Sequence, residues 1–222
     1  MALYIDCAYL DDIISVVQSI PVAGVTTNPS ILLAARERGQ KLSVPTLIKE
    51  IQRIVAGFIF VQPGESDEEE MLQEVLSYVE LDPQHVIPKI PMTQTGMRVA
   101  LRLRKIQKQQ IAFTAVTSVA QAYTAAMVGA AFIIPYYNRL ERSGIDASER
   151  VSQIAELLHN QQLSSRLLAA SIKTPAEATT ALLAGAHDLT IAPSVLLDMT
   201  KDSLSDEAME KFRQDWQNMK KL

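Results

Sequence analysis

Three features of the 222-residue sequence predict an α/β fold: a single-domain (β/α)8, or TIM, barrel with an extra C-terminal amphipathic helix. Eight short apolar runs recur along the chain, segments with apolar residues at i, i+3, i+4 and i+7 separate them, and no linker rich in proline, glycine or serine interrupts the alternation. Strands joined through helices pair in parallel with right-handed crossovers. Eight units of about 28 residues suit a short barrel.

The predicted strands lie at residues 3–6, 23–28, 58–62, 86–91, 111–116, 132–137, 167–172 and 189–193. Helical spacing between them is clearest at Leu10, Ile13, Ile14 and Val17, and again at Val151, Ile154, Leu157 and Leu158. The acidic run at 65–70 (ESDEEE) is typical of a first helical turn, where carboxylates interact favourably with the helix dipole.

A terminal helix is predicted at about residues 205–222, where Met209, Phe212, Trp216 and Met219 recur at helical spacing. This stripe either contacts another copy of the chain or covers the helices of its own barrel. We expect residues 1–222 to form one barrel domain, with the terminal helix used in oligomer contacts.

An open, doubly wound sheet is the competing architecture. It would be favoured by a glycine-rich phosphate-binding turn after the first strand. Asp6 is instead followed by Cys-Ala-Tyr-Leu, and neither G-x-G-x-x-G nor a Walker A motif occurs in the sequence. The barrel is therefore the predicted fold.

The composition argues against several classes of protein. Lys and Arg number 21 against 25 Asp and Glu, so we expect no nucleic-acid partner. The single cysteine, Cys7, excludes an intramolecular disulfide and a cysteine-based zinc cluster, and the three histidines are scattered, so no metal site is expected. Without a signal-peptide pattern or about 18 consecutive apolar residues, we expect a cytoplasmic protein that does not contact membranes.

Polar residues in or just after the apolar runs are the candidate site residues, because chemistry in a parallel barrel occurs at the carboxyl ends of the strands. They are Asp6, Thr26, Asn28, Gln62, Lys89, Thr114, Tyr136, Asn138, Arg139, Ser171 and Lys173.

Lys89 stands out because it interrupts the apolar run Val-Ile-Pro-Lys-Ile-Pro. Burial disfavours the charged ammonium and lowers its pKa, which would make the amine a nucleophile able to form a Schiff base with a carbonyl carbon. Lys89 could alternatively form an ion pair with Asp6 inside the barrel. Asp6 is accordingly a candidate acid/base, a ligand for substrate hydroxyls or only a counter-ion.

The other candidates also have two interpretations. Asn28 suits a sugar hydroxyl or a carbinolamine oxygen, or it is a turn residue before Pro29. Arg139 and Ser171, with Lys173, could hold a phosphate, since barrel phosphate sites often follow the last strands. A lone arginine at a strand end is otherwise a surface ion-pair partner.

As a set, these residues resemble the fructose 6-phosphate aldolase branch of the small transaldolase family. The matching segments, collinear over nearly the whole chain, are LYID at 3–6, AGVTTNPSI at 23–31, FVQ at 60–62, KIPMT at 89–93, TAV at 114–116, PYYNR at 135–139, LAASIKTP at 168–175 and FRQDWQ at 212–217. AGVTTNPS and LAASIKTP are the most specific of them.

The resemblance implies a class I aldolase that cleaves fructose 6-phosphate to dihydroxyacetone and glyceraldehyde 3-phosphate. It implies Lys89 as the Schiff-base lysine and no metal or organic cofactor. Asp6, Thr26 and Asn28 would contact the donor hydroxyls and the carbinolamine, while Gln62, Thr114 and Tyr136 would fix a water and relay the proton at the C4 oxygen. Arg139 and Ser171, with Lys173, would bind the phosphate. The resemblance also implies a homo-oligomer, a pentamer or decamer.

Two positions separate aldolase from transaldolase within the resemblance. The transaldolase branch has a glutamate where this chain has Gln62, and commonly a phenylalanine where it has Tyr136, so both residues favour the aldolase. Transaldolase remains the alternative, and a non-enzymatic sugar-phosphate binder is a second. Ile134 is bulkier and Ala112 smaller than expected beside the site, and Pro63 follows Gln62 unusually, which leaves the preferred donor and acceptor open.

Overall fold

The computed structural model of the chain describes residues 1–106 and 109–221. Eight parallel strands close into a barrel in sequence order, each paired with the next and the eighth with the first. They are β1 (Ala2–Asp6), β2 (Gly24–Thr26), β3 (Phe58–Val61), β4 (Val86–Pro91), β5 (Ala112–Val116), β6 (Phe132–Pro135), β7 (Arg166–Ile172) and β8 (Asp188–Ile191).

Helices separate the strands on the outside of the barrel. They are α1 (Leu10–Val17), α2 (Pro29–Glu37), α3 (Val44–Ile54), α4 (Glu68–Val79), α5 (Gln94–Ile106), α6 (Val119–Met127), α7 (Tyr137–Arg142), α8 (Ala147–Asn160), α9 (Pro175–Leu183), α10 (Pro193–Asp198) and α11 (Ser203–Met219). Within the described residues, none is both long and apolar enough to cross a membrane. The prediction of a (β/α)8 barrel followed by a terminal helix is confirmed.

The sixth strand is shorter than predicted. It was expected over residues 132–137, but β6 ends at Pro135, and Tyr137 begins α7. Asn138 and Arg139 therefore lie on α7 rather than on the strand, and Tyr136 is the residue at the junction. A strand end and a short helix both place polar side chains at the barrel mouth, so the sequence pattern alone did not separate them.

Side-chain caps explain why several of the outer helices begin where they do. Asp67 accepts hydrogen bonds from the backbone N–H groups of Glu69 and Glu70, so α4 begins inside the predicted acidic run. Ser118 and Gln121 form a reciprocal capping box at the start of α6. Capping satisfies N–H groups that have no partner within the helix.

The barrel interior is filled at its base by side chains that point inward. Tyr4, Phe60 and Phe132 form edge-to-face pairs, with ring centroids 5.2 Å apart for Tyr4 and Phe60 and 4.9 Å apart for Phe60 and Phe132. Ile134 and Ala112 belong to the same inner cluster. The cavity lined by the polar residues at the carboxyl ends of the strands lies beyond this packed layer.

An ion pair lies at the opposite, amino-terminal end of the barrel. The Arg166 guanidinium donates to both carboxylate oxygens of Asp188, at 2.6 and 2.5 Å. The Asp188 side chain is fully buried, whereas 42% of the Arg166 side chain is exposed. The pair satisfies a carboxylate that would otherwise be buried without a partner.

The terminal helix α11 contains no buried residue. Met209, Phe212, Trp216 and Met219 are all more than half exposed. The predicted apolar stripe thus exists, but it does not cover the helices of its own barrel. Leu222, the last residue of the expected helix, lies outside the described residues.

Candidate active site

A cavity of about 440 Å³ opens at the carboxyl ends of the strands. Eight of the predicted site residues line it: Asp6, Asn28, Gln62, Lys89, Tyr136, Arg139, Ser171 and Lys173. Thr26 and Thr114 do not line it, but each is hydrogen-bonded to a residue that does. Asn138 faces a neighbouring cavity and donates to Glu177 at 3.0 Å.

Lys89 lies in the middle of β4, and its side chain reaches this cavity. Alternate residues of a strand point to opposite faces, so Lys89 and Ile87 face the barrel interior while Ile90 packs in the outer core. Only 2% of Lys89 is exposed. Burial lowers the pKa of Lys89 to about 8, although the nearby charge of Asp6 opposes that shift.

The alternative of a Lys89–Asp6 ion pair does not match the geometry. Among residues 1–106 and 109–221, no carboxylate oxygen lies within 4.0 Å of the Lys89 amine. Asp6 therefore acts on Lys89 through space, and the amine is left free of a direct carboxylate contact.

Two buried hydroxyl groups form a hydrogen-bond chain that ends on Asp6. Thr26 contacts Asp6 directly, and Thr190 contacts Thr26. Thr26 Oγ1 donates to Asp6 Oδ1 at 2.6 Å and lies 2.6 Å from Thr190 Oγ1. Because Thr26 has one hydroxyl proton and directs it at Asp6, Thr190 must be the donor to Thr26. Burial is the main cause of the raised pKa of Asp6; Lys89, the Thr26 hydrogen bond and Lys173 oppose it.

Asn28 both caps a helix and lines the cavity. Its Oδ1 accepts the backbone N–H of Ile31 at 3.0 Å and caps α2, so the turn interpretation is correct for this atom. Fixing the oxygen directs the rest of the amide, and Asn28 still lines the cavity. The two N–H donors of that amide are the groups suited to a ligand oxygen.

Thr114 and Tyr136 form a hydroxyl pair across β5 and the end of β6. Thr114 Oγ1 donates to the Tyr136 hydroxyl at 3.0 Å. Burial raises the pKa of Tyr136, an effect that the Thr114 hydrogen bond opposes. At neutral pH the phenol therefore keeps its proton, and Thr114 holds its oxygen in place.

Gln62 follows β3 and carries an unsatisfied acceptor. Within the described part of the chain, its Oε1 is buried and has no hydrogen-bond partner. The unusual loop after it is held by Glu74, whose Oε2 accepts the backbone N–H groups of Gly64 and Glu65 at 2.9 and 3.1 Å. A buried acceptor beside a cavity is a position for a bound water or a ligand hydroxyl.

Arg139, Ser171 and Lys173 gather on one side of the cavity. The Arg139 guanidinium carbon lies 4.8 Å from the centroid of the Tyr136 ring, a cation–π arrangement that orients it. Ser171 sits in a β-bulge of β7 with φ 62°, a left-handed conformation that turns it towards the mouth. Together they could bind an anion.

The sequence analysis did not single out Thr190, which supports the site from below, or several residues that line the cavity, Ala115 among them. The sequence pattern could have identified Thr190, because it is a polar residue inside the apolar eighth run, as Thr26 and Thr114 are in theirs. No sequence pattern predicts that Ala115 lines the cavity. It does so from a bulge in β5 with φ 59°, a conformation that alanine rarely adopts.

A sequence model of the family described as Transaldolase/Fructose-6-phosphate aldolase matches residues 3–222. The chain belongs to this family. The transaldolase/fructose-6-phosphate aldolase family is one of aldolase- and transaldolase-type enzymes, so the resemblance inferred from the motifs is confirmed for the family as a whole.

Solved structures share the barrel at low sequence identity. Mandelate oxidase with (S)-2-phenylpropionate has a TM-score of 0.60 at 11% identity, over 88% of this chain and 65% of that one. A flavocytochrome b2 variant with bound sulfite has a TM-score of 0.59 at 13% identity, over 89% of this chain and 57% of that one. Inosine 5' monophosphate dehydrogenase from Legionella pneumophila has a TM-score of 0.53 at 16% identity, over 70% of this chain and 50% of that one. The chain thus spans 50% to 65% of these proteins, and the likeness shows the fold alone.

The expected influence of Ile134 and Ala112 on this family member's substrate is not direct. Both side chains are fully buried in the inner cluster, and neither lines the cavity. Ile134 pairs with Thr114 in the strand register. A large and a small residue therefore share the volume of the packed layer beneath the site.

Proposed function

We propose that the protein is a class I aldolase that cleaves fructose 6-phosphate reversibly to dihydroxyacetone and glyceraldehyde 3-phosphate. The observation that carries this proposal is the buried Lys89 amine, which faces the cavity with a pKa of about 8 and no carboxylate contact among the described residues. The family is consistent with it.

The first step is attack of the neutral Lys89 amine on the C2 ketone. With a pKa of about 8, roughly a tenth of the lysines are uncharged at pH 7, against about 3 in 10,000 at the ordinary value of 10.5. The resulting carbinolamine loses water to form an iminium ion. Asp6 and the Asn28 amide, which line the cavity, are assigned to the oxygen that leaves and to the donor hydroxyls.

Cleavage breaks the C3–C4 bond, and the bonding electrons move into the iminium to give an enamine on Lys89. The C4 hydroxyl gives its proton to a water held by Gln62 as glyceraldehyde 3-phosphate forms, and the Tyr136 phenol, held by Thr114, relays one proton from that water back to the enamine, so no net proton is gained or lost. Protonation of the enamine at C3 and hydrolysis, which consumes one water, release dihydroxyacetone. The lysine itself holds the electron pair, so the reaction needs no cofactor.

The substrate phosphate is assigned to the side of the cavity formed by Arg139 and Ser171, with Lys173. A guanidinium offers a bidentate contact to phosphate oxygens, and the neighbouring ammonium adds charge. This placement puts the phosphorylated fragment near Tyr136, over whose ring Arg139 lies.

Borohydride reduction in the presence of dihydroxyacetone tests the Schiff base. We expect a stable adduct that maps to Lys89 and is lost in Lys89→Met, while the exposed-lysine control Lys41→Met keeps it. An unmodified wild-type chain would instead favour a sugar-phosphate binder without turnover.

Transaldolase is the alternative activity within the family. Gln62 and Tyr136 favour the aldolase, because a glutamine orients a water without competing for its proton and a phenol can donate one. Fructose 6-phosphate supplied alone should release glyceraldehyde 3-phosphate. Release that begins only after erythrose 4-phosphate is added would favour transaldolase.

We further propose that α11 contacts another copy of the chain in a pentamer or decamer. Its apolar stripe is exposed and has no buried residue, which is unfavourable for an isolated chain in water. Light scattering should give a mass several times that of one chain, and Phe212→Asp combined with Trp216→Asp should lower it. A cytoplasmic location and the absence of nucleic-acid and membrane partners stay predictions.

A further inference from the structure

A second cavity, of about 490 Å³, adjoins the catalytic cavity on the side assigned to the substrate phosphate. Arg139, Ser171 and Lys173 line both spaces and so form the boundary between them. The outer cavity adds the polar side chains of Asn138, Arg142 and Ser143. Nothing in the proposed cleavage uses this outer space.

Three of the lining side chains are cations: Arg139, Arg142 and Lys173. Within residues 1–106 and 109–221, none of them has a carboxylate oxygen within 4.0 Å. Cations that share one cavity without a carboxylate in direct contact repel one another and attract anions.

Glu177, an acidic residue hydrogen-bonded to two residues of this cavity, uses its carboxylate oxygens on neutral donors. Its Oε1 accepts from Asn138 Nδ2 at 3.0 Å, and its Oε2 accepts from the backbone N–H of Lys173 at 2.8 Å. Glu177 therefore shapes the cavity wall through neutral donors and leaves the three cations for a ligand.

Arg139 and Arg142 are three residues apart on α7, which places them as neighbours about 5–6 Å apart at their Cβ atoms. Two guanidinium groups at that spacing can each bind one of two adjacent phosphoryl groups, with bidentate contacts. A single phosphate held in the inner cavity by Arg139 and Ser171 does not need Arg142, which does not line that cavity.

We propose that the outer cavity is a second anion subsite and that Arg142, together with Arg139 and Lys173, binds a diphosphate group. The inference rests on the proposed function in taking the Arg139 and Ser171 side as the position of the first phosphoryl group. A diphosphate bound there occupies that position and competes with a sugar phosphate. Free pyrophosphate and a diphosphate ester share this chemistry.

Calorimetric titration of the full-length protein with inorganic pyrophosphate and with inorganic phosphate tests the subsite without turnover. We expect pyrophosphate to bind wild type at least about tenfold more tightly than phosphate. Arg142→Gln should weaken pyrophosphate binding about tenfold and change phosphate binding by less than about twofold. Arg36→Gln, which removes an exposed arginine outside this cavity, is the matched control and should change neither.

Arg139→Gln should weaken both anions, because it borders both cavities. ADP as a further titrant distinguishes the source: binding with the same loss in Arg142→Gln extends the subsite to diphosphate esters, and binding of pyrophosphate alone restricts it to the free anion. Arg142 is exposed, so its variant should unfold at the wild-type urea concentration.

Equal affinity for the two anions, or an Arg142→Gln effect that is equal on both or matches that of Arg36→Gln, would overturn the subsite. The borohydride experiment reports on Lys89 independently. If the adduct forms but pyrophosphate binding lacks this pattern, only the subsite fails; if the pattern is present without an adduct, only the aldolase proposal fails.

Discussion

The hydroxyl oxygens of Thr26 and Thr190 lie 2.6 Å apart, and neither residue is more than 1% exposed. The Thr26 hydroxyl donates its proton to Asp6, so the Thr190 hydroxyl donates a hydrogen bond to Thr26 Oγ1. Thr190 does not line the cavity. It is a positioning residue that acts on Asp6 through Thr26.

Replacing Thr190 by valine keeps the shape of the side chain and removes its proton donor. We expect Thr190→Val to lower the free energy of unfolding by about 1–2 kcal/mol and to slow Schiff-base formation about fivefold, the equivalent of about 1 kcal/mol. Thr190→Ser, which keeps the hydroxyl, should form the Lys89 adduct within about twofold of the wild-type rate. If serine and valine slow adduct formation equally, the role of Thr190 is packing alone.

The Tyr136 hydroxyl should be needed for cleavage but not for adduct formation. Tyr136→Phe removes the proton relay, so we expect release of glyceraldehyde 3-phosphate to fall by about 100-fold or more, while borohydride trapping of dihydroxyacetone on Lys89 changes by less than about threefold. Tyr137→Phe alters the adjacent buried tyrosine, which does not line the cavity, and serves as the control. Parallel losses in cleavage and trapping would mean that Tyr136 only supports the fold.

Lys89 should make the protein less stable at neutral pH than it would be with an apolar side chain. Its pKa falls from 10.5 when unfolded to about 8 when folded, so the ammonium is disfavoured in the native state by up to about 3 kcal/mol at pH 7. Lys89→Met should therefore raise the free energy of unfolding at pH 7, by less than this amount because Asp6 loses a favourable charge interaction.

The stability gained in Lys89→Met should decrease as the pH rises above about 8. Between about pH 8 and 10.5 the unfolded lysine holds a proton that the folded one has released, so wild-type stability rises with pH across this window. The advantage of Lys89→Met should accordingly shrink towards pH 10.5. Urea unfolding at pH 7 and pH 10 measures the difference in free energy of unfolding between Lys89→Met and wild type, with Lys41→Met as the exposed-lysine control. A difference that is the same at both pH values would contradict the lowered pKa of Lys89.

The Arg166–Asp188 pair should stabilise the fold without affecting the chemistry. Arg166→Met leaves a fully buried carboxylate without its partner, and we expect a loss of about 2–3 kcal/mol, below the value for a fully buried pair because Arg166 is 42% exposed. The double variant with Asp188→Leu should recover most of this loss. Borohydride trapping on Lys89 should stay at the wild-type level, because the pair lies at the other end of the barrel; reduced trapping would show that the base and the site are coupled.

Most of the strands could be predicted because each is a short apolar run between helix-period segments, and β4 was predicted with its observed ends. The end of β6 was not, since Tyr136 and Arg139 are compatible with a strand or a helix start. The bulges at Ala115 and Ser171 were also unpredictable, because neither residue type favours a left-handed backbone.

The amino-acid sequence by itself determined the barrel through its periodicity and chain order, the family through its collinear motifs, and most of the polar residues that the strands carry to one end, because regular strands present alternate residues to opposite faces. Only the tertiary structure decided that Lys89 stands clear of Asp6, that Thr190 completes the Asp6 network, and that Arg142 opens onto a second cavity. Those outcomes depend on distances of a few ångströms between distant segments, and local patterns do not encode such distances.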